Sequence, residues 1–293
     1  MANLKEIRNR IASVSSTMQI TSAMKMVSAA KLKKATEAIM KMRPYSDKLS
    51  ELIKNLTISL EDNNENSYTQ LRPDKKLLLV AISSNRGLCG AFNSNIIKAV
   101  KDVHENSKDK EIDILSIGKK GSDILSKKYN VISTHDEIFN DLNFENVSLI
   151  AEMIMKFFTD KKYDSVKIIY NNFKNAATQN VIIEPYLPIL REATNENASS
   201  LDYIYEPSQE KIINELLPKS LKTQLLKSLK DSFASEHGAR MTAMHKATDN
   251  AEELRDQLKL TYNKARQAAI TNEILEIVGG LSLIHISEPT RPE

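Results

Sequence analysis

The fold is decided first by residues 4–18, LKEIRNRIASVSSTM. Their apolar residues recur in alternating steps of three and four, at Leu4, Ile7, Ile11, Val14 and Met18. This 3.5-residue period is the pattern of a left-handed coiled-coil seam. The same register resumes at Leu32, Ala35, Ile39, Met42, Leu49, Ile53, Leu56 and Leu60. Because no Gly or Pro precedes Pro44, we predict one long helix over residues 1–60, kinked or locally ended at that proline.

The seam changes character between these two runs. The register there lands on Thr21, Lys25 and Ser28, whereas the apolar residues move to Ile20, Met24, Met26 and Val27. We therefore predict that the seam rotates or opens at this point. This stretch must then face something other than the partner helix.

The C-terminal third carries a matching apolar stripe. Its members are Leu225, Leu229, Phe233, Met241, Met244, Ala247, Ala251, Leu254, Leu258, Tyr262, Ala265 and Ala269. Between Pro218 and Gly279 the only Gly or Pro is Gly238, so we predict a helix over residues 207–280. So narrow a stripe stabilises neither terminal helix alone. We predict that the two helices pair as a long antiparallel coiled coil.

The middle of the chain alternates between strand-like and helix-like patterns. Residues 75–83, KKLLLVAIS, form the kind of run that is buried on both faces of a sheet. Further strands are predicted at 112–117, 130–133, 165–170 and 180–185, and helices at 96–103 (capped by Asn93 or Ser94), 122–128 and 147–157. The alternation predicts a Rossmann-like α/β domain over residues 75–190, inserted between the long helices and flanked by polar linkers. The fold class is therefore α/β.

Composition and charge limit the possible functions. A single cysteine excludes an internal disulfide, and no apolar run reaches the 18 to 20 residues or so that span a bilayer. We expect a soluble, cytoplasmic protein that can be peripheral to a membrane. The net charge is +3, but residues 1–50 hold ten Lys or Arg against three Asp or Glu, a balance of +7. That segment is either a solvated face or a basic surface for an acidic partner.

No convincing catalytic, cofactor or metal constellation is present in the sequence. Gly118-Lys-Lys-Gly121-Ser122 follows a predicted strand, but it lacks the spacing of known phosphate-binding loops, so a plain turn is the preferred interpretation. His237 and His245 could share a helix face, with solvent exposure as the default. Cys89 has no adjacent base and is interpreted as a packing residue. We expect a binding or mechanical protein with no catalytic, cofactor or metal residues.

Three stretches together resemble one family. They are residues 7–35, IRNRIASVSSTMQITSAMKMVSAAKLKKA; residues 83–93, SSNRGLCGAFN; and parts of residues 235–280, including ARMTAM and YNKARQAAITNEILEIVGG. They resemble the gamma subunit of the bacterial F-type (rotary) ATP synthase. The resemblance implies a non-catalytic rotor of the central stalk, which couples rotation of the membrane c-ring to the catalytic beta subunits of a proton-translocating complex. It implies alpha and beta subunits (a 3:3 hexamer), epsilon and the c-ring as partners, and a peripheral place on the cytoplasmic side of the inner membrane.

The same resemblance assigns contact residues. Contacts to beta are expected at Met24, Lys25, Arg266, Gln267 and Thr271; a hexamer-facing loop at Arg86, Gly87, Leu88 and Cys89; and c-ring contacts at Tyr203, Tyr205 and Glu206. We expect Gly87 and Gly90 to serve backbone geometry. Residues 281–293, LSLIHISEPTRPE, resemble a translated sequencing adapter and are expected to be non-native. The alternatives are a coiled-coil scaffold or nucleic-acid-binding protein, and a nucleotide-binding enzyme in the α/β domain.

Overall fold

A computed structural model describes residues 4–58, 67–176, 178–189 and 209–285. It contains two compact units, one of Met1–Lys25 with Met244–Glu293 and one of Met26–Ala243. We call them the terminal unit and the sheet unit. The predicted c-ring contacts Tyr203, Tyr205 and Glu206 lie outside the described residues. So do residues 286–293, which belong to the segment 281–293 that is predicted to be non-native.

The sheet unit is built on five strands in the order β3-β2-β1-β4-β5. The strands are β1 (Lys76–Ile82), β2 (Glu111–Ile117), β3 (Val131–His135), β4 (Ser165–Phe173) and β5 (Gln179–Leu187). β1 pairs in parallel with β2 and β4, β2 pairs in parallel with β3, and β5 is antiparallel to β4. β1 is buried on both faces after its first residue, as the apolar run predicts.

Helices cover both faces of the sheet. They are α2 (Phe92–Asn106), α3 (Lys119–Leu125) and α4 (Phe144–Thr159), with a short 3-10 turn at Glu137–Phe139. The side chains of β1 alternate between the two faces. Leu78 and Val80 pack against α4 and Leu225 on one face, and Leu77 and Leu79 pack against α2 on the other. The predicted strands and helices are present with their bounds shifted by a few residues, and α3 is displaced as a whole from its predicted range, residues 122–128. The predicted N-cap is wrong. Asn93 lies inside α2, where its Oδ1 accepts from Ser84 N at 3.0 Å instead.

Two long helices frame the chain, α1 (Leu4–Ile58) and α5 (Gln209–His285). In the sheet unit they run antiparallel, because Ala35 and Ile39 pack with Ala234 while Leu49 and Ile53 pack with residues 213 and 217. α1 continues through Pro44 and does not end there. No described helix is both long and apolar enough to span a membrane.

The terminal unit repeats the antiparallel pairing. Arg8 Nη2 donates to Tyr262 Oη at 2.8 Å, and the hydroxyls of Thr21 and Thr248 lie 2.8 Å apart. The seam does not rotate, because Thr21 is 9% exposed in the terminal unit and Ser28 is buried in the sheet unit. The exposure of Met26 and Val27 agrees with the other part of the prediction, that apolar residues of this stretch face away from the partner helix. The seam keeps its register with small hydroxyl residues. The apolar side chains beside it point outward, with Ile20 59% exposed.

Candidate functional site

In the terminal unit, the end of α5 is a surface without a helical partner among the described residues. The first described residue of α1 is Leu4, and Arg8, one turn later, pairs with Tyr262. The described part of α1 therefore ends before it can cover the rest of α5. From Arg266 to Gly279 every side chain is exposed. The predicted contact residues Arg266, Gln267 and Thr271 lie here. Large apolar side chains are exposed beside them at Ile270, Ile274, Leu275, Ile277 and Val278.

The other predicted contact pair lies further along the terminal unit. Lys25 Nζ is 3.3 Å from His245 Nδ1, so the cation is held against α5 while it stays partly exposed. Met24 is half-buried beside it. His245 is also 3.4 Å from the carboxylate of Asp249. The structure therefore places Lys25 on the surface of the helix pair, beside His245.

In the sheet unit, the predicted hexamer-facing loop, residues 86–89, follows β1 and contains both exposed and buried residues. Arg86 and Leu88 are exposed, whereas Cys89 is 1% exposed. The Cys89 side chain itself is covered within the chain, because it packs with Phe92 and Ala239. That the loop faces the hexamer stays a prediction. Leu88 and Gly90 have left-handed backbones, with φ of 60° and 59°. Gly87 lacks a positive φ, and a Cβ there would meet nothing within 4 Å, so its backbone does not require glycine.

Hydrogen bonds at the base of the loop hold Cys89 and its neighbours. Asn93 Nδ2 lies 3.3 Å from Cys89 Sγ and 2.8 Å from Ser84 Oγ, and Ser84 Oγ donates to Arg86 O at 2.8 Å. Burial raises the pKa of the Cys89 thiol above its ordinary value. A protonated, buried thiol is a packing residue rather than a nucleophile.

Sequence reasoning missed the residue that holds this loop. Arg240 of α5 is 6% exposed, and its Nη2 donates to Arg86 O at 2.9 Å, to Gly87 O at 3.3 Å and to Glu236 Oε1 at 2.7 Å. Burial raises the pKa of Glu236, although Arg240 opposes that shift. The sequence carries a signal only for the pairing of Glu236 with Arg240, which are spaced i, i+4, and none for the loop carbonyls that Arg240 binds.

His237 lies in the same buried cluster. Its Nδ1 is 3.4 Å from Arg240 Nη1, and its ring packs edge-on against Phe233 with centroids 4.5 Å apart. Burial first, and then the charges of Arg240 and Lys31, lower the pKa of His237 to about 4. The expected exposure of His237 is therefore wrong, whereas His245 is exposed.

α5 fills the crevice where an α/β fold usually binds its ligand. That crevice lies beyond the carboxyl ends of the strands where the strand order reverses, which here is between β1 and β4. Ser235 Oγ donates to Asn171 O, at the end of β4, at 3.0 Å. Arg240 and Ala239 cover the loop after β1. Side chains of α5 thus take the place of a ligand.

The glycine motif after β2 is also satisfied internally. The first three N–H groups of α3, those of Lys119, Lys120 and Gly121, donate to Asn85 Oδ1, Ser84 O and Ser83 Oγ at 3.0, 2.9 and 2.9 Å. Gly118 adopts φ 103° and packs directly on Ser83. These N–H groups are the ones that a phosphate would need, so the motif is a structural turn. In the described parts of the chain, no three His, Cys, Asp or Glu side chains could together hold a metal ion.

Comparison with known proteins agrees with this arrangement. A family model described as ATP synthase matches residues 3–283. The ATP synthase gamma chain of Flavobacterium johnsoniae is 63% identical over 285 residues, which cover 97% of this chain and 100% of the relative. A chain of the Tetrahymena thermophila mitochondrial ATP synthase central stalk and c-ring is 29% identical, with a TM-score of 0.60, and the match covers 78% of this chain and 99% of that one. A chain from the Euglena gracilis mitochondrial ATP synthase shares the fold, with a TM-score of 0.74 at 22% identity, over 99% of this chain and 98% of its own. The chain belongs to the gamma-chain family of the ATP synthases.

Proposed function

We propose that this chain is the rotor of the central stalk of a proton-translocating F-type ATP synthase. The observation that carries the proposal is the end of α5, where residues 266–279 expose apolar side chains such as Ile270, Ile274 and Leu275. A soluble protein rarely leaves so much contiguous apolar surface open unless a partner surrounds it. In this proposal the partner is the 3:3 hexamer of alpha and beta subunits.

The mechanism is allosteric control by rotation. Each orientation of the rotor offers different contacts to each catalytic beta subunit, and those differences bias each subunit toward one of its states. Arg266, Gln267 and Thr271 supply polar contacts on one helix. On the other helix, Met24 supplies an apolar contact and Lys25 a charged one. A residue of this kind contributes only through contacts that differ between the states.

The chain itself is not catalytic in this proposal, and catalysis belongs to the beta subunits. The crevice between β1 and β4 supports this, because side chains of α5 fill it. The chain joins the membrane-bound complex as a peripheral subunit on the cytoplasmic side of the bacterial inner membrane. Epsilon and the c-ring are its further partners. Contact with the ring through Tyr203, Tyr205 and Glu206 rests on the family resemblance alone.

The test is reconstitution with the alpha and beta subunits of the same organism. We expect the three proteins to co-purify, the assembled complex to hydrolyse ATP, and the isolated chain to hydrolyse none. Combining Arg266→Glu, Gln267→Ala and Thr271→Ala should weaken assembly or coupling. Lys98→Glu, an exposed charge reversal on α2, is the matched control and should not.

Two outcomes contradict the proposal. One is robust ATP hydrolysis by the isolated chain. The other is failure to assemble, combined with DNA or RNA binding that falls steeply as salt rises, which would favour a nucleic-acid-binding protein.

A further inference from the structure

We infer that Arg240 is a positioning residue, which holds loop residues 86–88 in the conformation that offers Arg86 and Leu88 to the catalytic hexamer. The inference rests on the proposed function for the identity of the partner. The contacts that carry it lie within the sheet unit. They join α5 to a loop about 150 residues earlier in the chain.

The geometry is specific for a guanidinium group. Arg240 Nη2 reaches Arg86 O, and both Nη2 and Nε lie 3.3 Å from Gly87 O. Glu236 Oε1 accepts from the same Nη2 at 2.7 Å. A planar group with donors fixed on three nitrogens can bind two adjacent carbonyls and a carboxylate together, whereas a lysine ammonium carries all three of its donors on one nitrogen.

The loop needs to be held, because its conformation is strained. Leu88 has φ 60° and is 64% exposed, so neither backbone preference nor burial of its own side chain explains its placement. A left-handed backbone at a residue with a Cβ persists only when its surroundings impose it. On one side the anchor is Cys89, buried with Phe92 and Ala239. On the other side it is Arg240.

The burial of the ion pair between Arg240 and Glu236 is also better explained by its hold on the loop than by a gain in folding stability. Arg240 and Glu236 are both nearly fully buried, and removing an ion pair from water costs free energy that the pair alone need not recover. An apolar pair would pack the same space. What the apolar pair could not do is fix two main-chain carbonyls. The polar cluster is thus suited to setting the loop's position.

Cys89 provides a direct test on the full-length chain. It is the only cysteine in the sequence and is buried at the base of the loop, so its rate of reaction with a thiol reagent such as DTNB reports opening of the loop. We expect Arg240→Ala to speed this reaction about tenfold or more, and Arg240→Lys to give an intermediate rate.

The matched control is Thr242→Ala on the same helix. Its Oγ1 donates to Ala176 O at 3.1 Å and so anchors a different loop. We expect its Cys89 rate to stay within about twofold of the unchanged chain. Equal rates for Arg240→Ala and Thr242→Ala would overturn the inference.

A second test uses the assembled complex with alpha and beta subunits. If Arg240 acts through the loop, the double variant Arg86→Ala, Leu88→Ala should lower ATP hydrolysis about fivefold or more, and adding Arg240→Ala should lower it no further. An additional, independent fall would show a merely structural role and overturn the inference. If the unchanged chain does not assemble at all, the proposed function fails, while the Cys89 rates still decide whether Arg240 holds the loop.

Discussion

Alanine at Gly118 should destabilise the sheet unit severely, whereas alanine at Gly87 should be nearly neutral. At Gly118 the backbone has φ 103°, and a Cβ would lie 2.3 Å from Ser83 O and 2.8 Å from Ser83 Oγ. At Gly87 a Cβ would meet nothing within 4 Å. Gly90 is intermediate, with φ 59° but only the Ala243 Cβ at 4.0 Å.

The magnitudes follow from these three geometries. A positive φ alone costs a residue with a Cβ about 1 kcal/mol, which is the whole effect expected for Gly90→Ala. For Gly118→Ala the clash is with a backbone oxygen that cannot rotate away, so β1 and the start of α3 must separate. We expect a total loss of about 3–5 kcal/mol, within the range seen for strain combined with broken packing. That is a large fraction of the 5–15 kcal/mol or so that usually stabilises a domain.

Urea unfolding followed by circular dichroism measures the three losses of free energy on one scale. The expected order is Gly87→Ala, then Gly90→Ala, then Gly118→Ala as the most damaging. A loss below about 1 kcal/mol for Gly118→Ala would refute the argument that this glycine is needed for close packing on Ser83. A phosphate-binding role for the motif would predict a different result, a loss of anion binding with little change in stability.

Three further predictions concern titration, the seam and a buried carboxylate. The unfolded chain protonates His237 below about pH 6.5, whereas the native chain does so only near pH 4. The free energy of unfolding should therefore fall by up to about 3 kcal/mol as the pH falls from about 6.5 to about 4. Urea melts at several pH values should show a shallower decline for His237→Asn, and equal slopes would contradict the prediction. Thr21→Val or Thr248→Val should each cost about 1 kcal/mol, and the double variant less than their sum, because either single change already removes the one contact between the two hydroxyls. Additive losses in thermal melts would contradict the pairing. Arg43→Met should cost about 1–2 kcal/mol by leaving the buried carboxylate of Asp231 without its cation 3.5 Å away, and adding Asp231→Asn should recover part of the loss in urea melts; no recovery would contradict it.

The elements that the sequence predicts well are those whose pattern and environment agree. The run at Leu77–Ile82 is uniformly apolar because β1 is the central strand and has helices on both faces. The long helices are predictable from the scarcity of Gly and Pro, since few other residues end a helix without tertiary help. Pro44 and Pro218 lie inside the helices, so a single proline in this context does not end one.

The seam shows where hydropathy misleads. Thr21 has a polar side chain, but its hydroxyl lies 3.1 Å from Met18 O on its own helix and 2.8 Å from the Thr248 hydroxyl. A hydroxyl satisfied in this way can be buried at little cost, so the register continues where a hydrophobic count reports a break. The reverse happens at Leu254, which is exposed on the predicted stripe while Arg255 Nη1 reaches Met18 Sδ at 3.6 Å.

The candidate contact residues came from motif resemblance, and the structure adds which of them are free to make contact. Arg86 and Leu88 are exposed, and Cys89 is not. The Arg240 cluster could not be derived from periodicity, because its acceptors are main-chain carbonyls about 150 residues away. Main-chain acceptors carry no residue identity, so no spacing rule in a single sequence encodes them.

The filled crevice and the held loop are two consequences of one packing arrangement. Ser235 and Arg240 of α5 sit at the carboxyl ends of β4 and β1, where an α/β fold usually keeps open space for a ligand. Ser235 and Arg240 donate to the main-chain carbonyls of Asn171 and Arg86, so α5 occupies the position that a ligand would take. Placing a helix there removes the ligand site and, by the same contacts, fixes the loop after β1 to that helix. In this chain the carboxyl end of the sheet, which in other α/β folds binds small molecules, instead attaches the loop after β1 to α5. A subunit that transmits force to its partners requires such a connection.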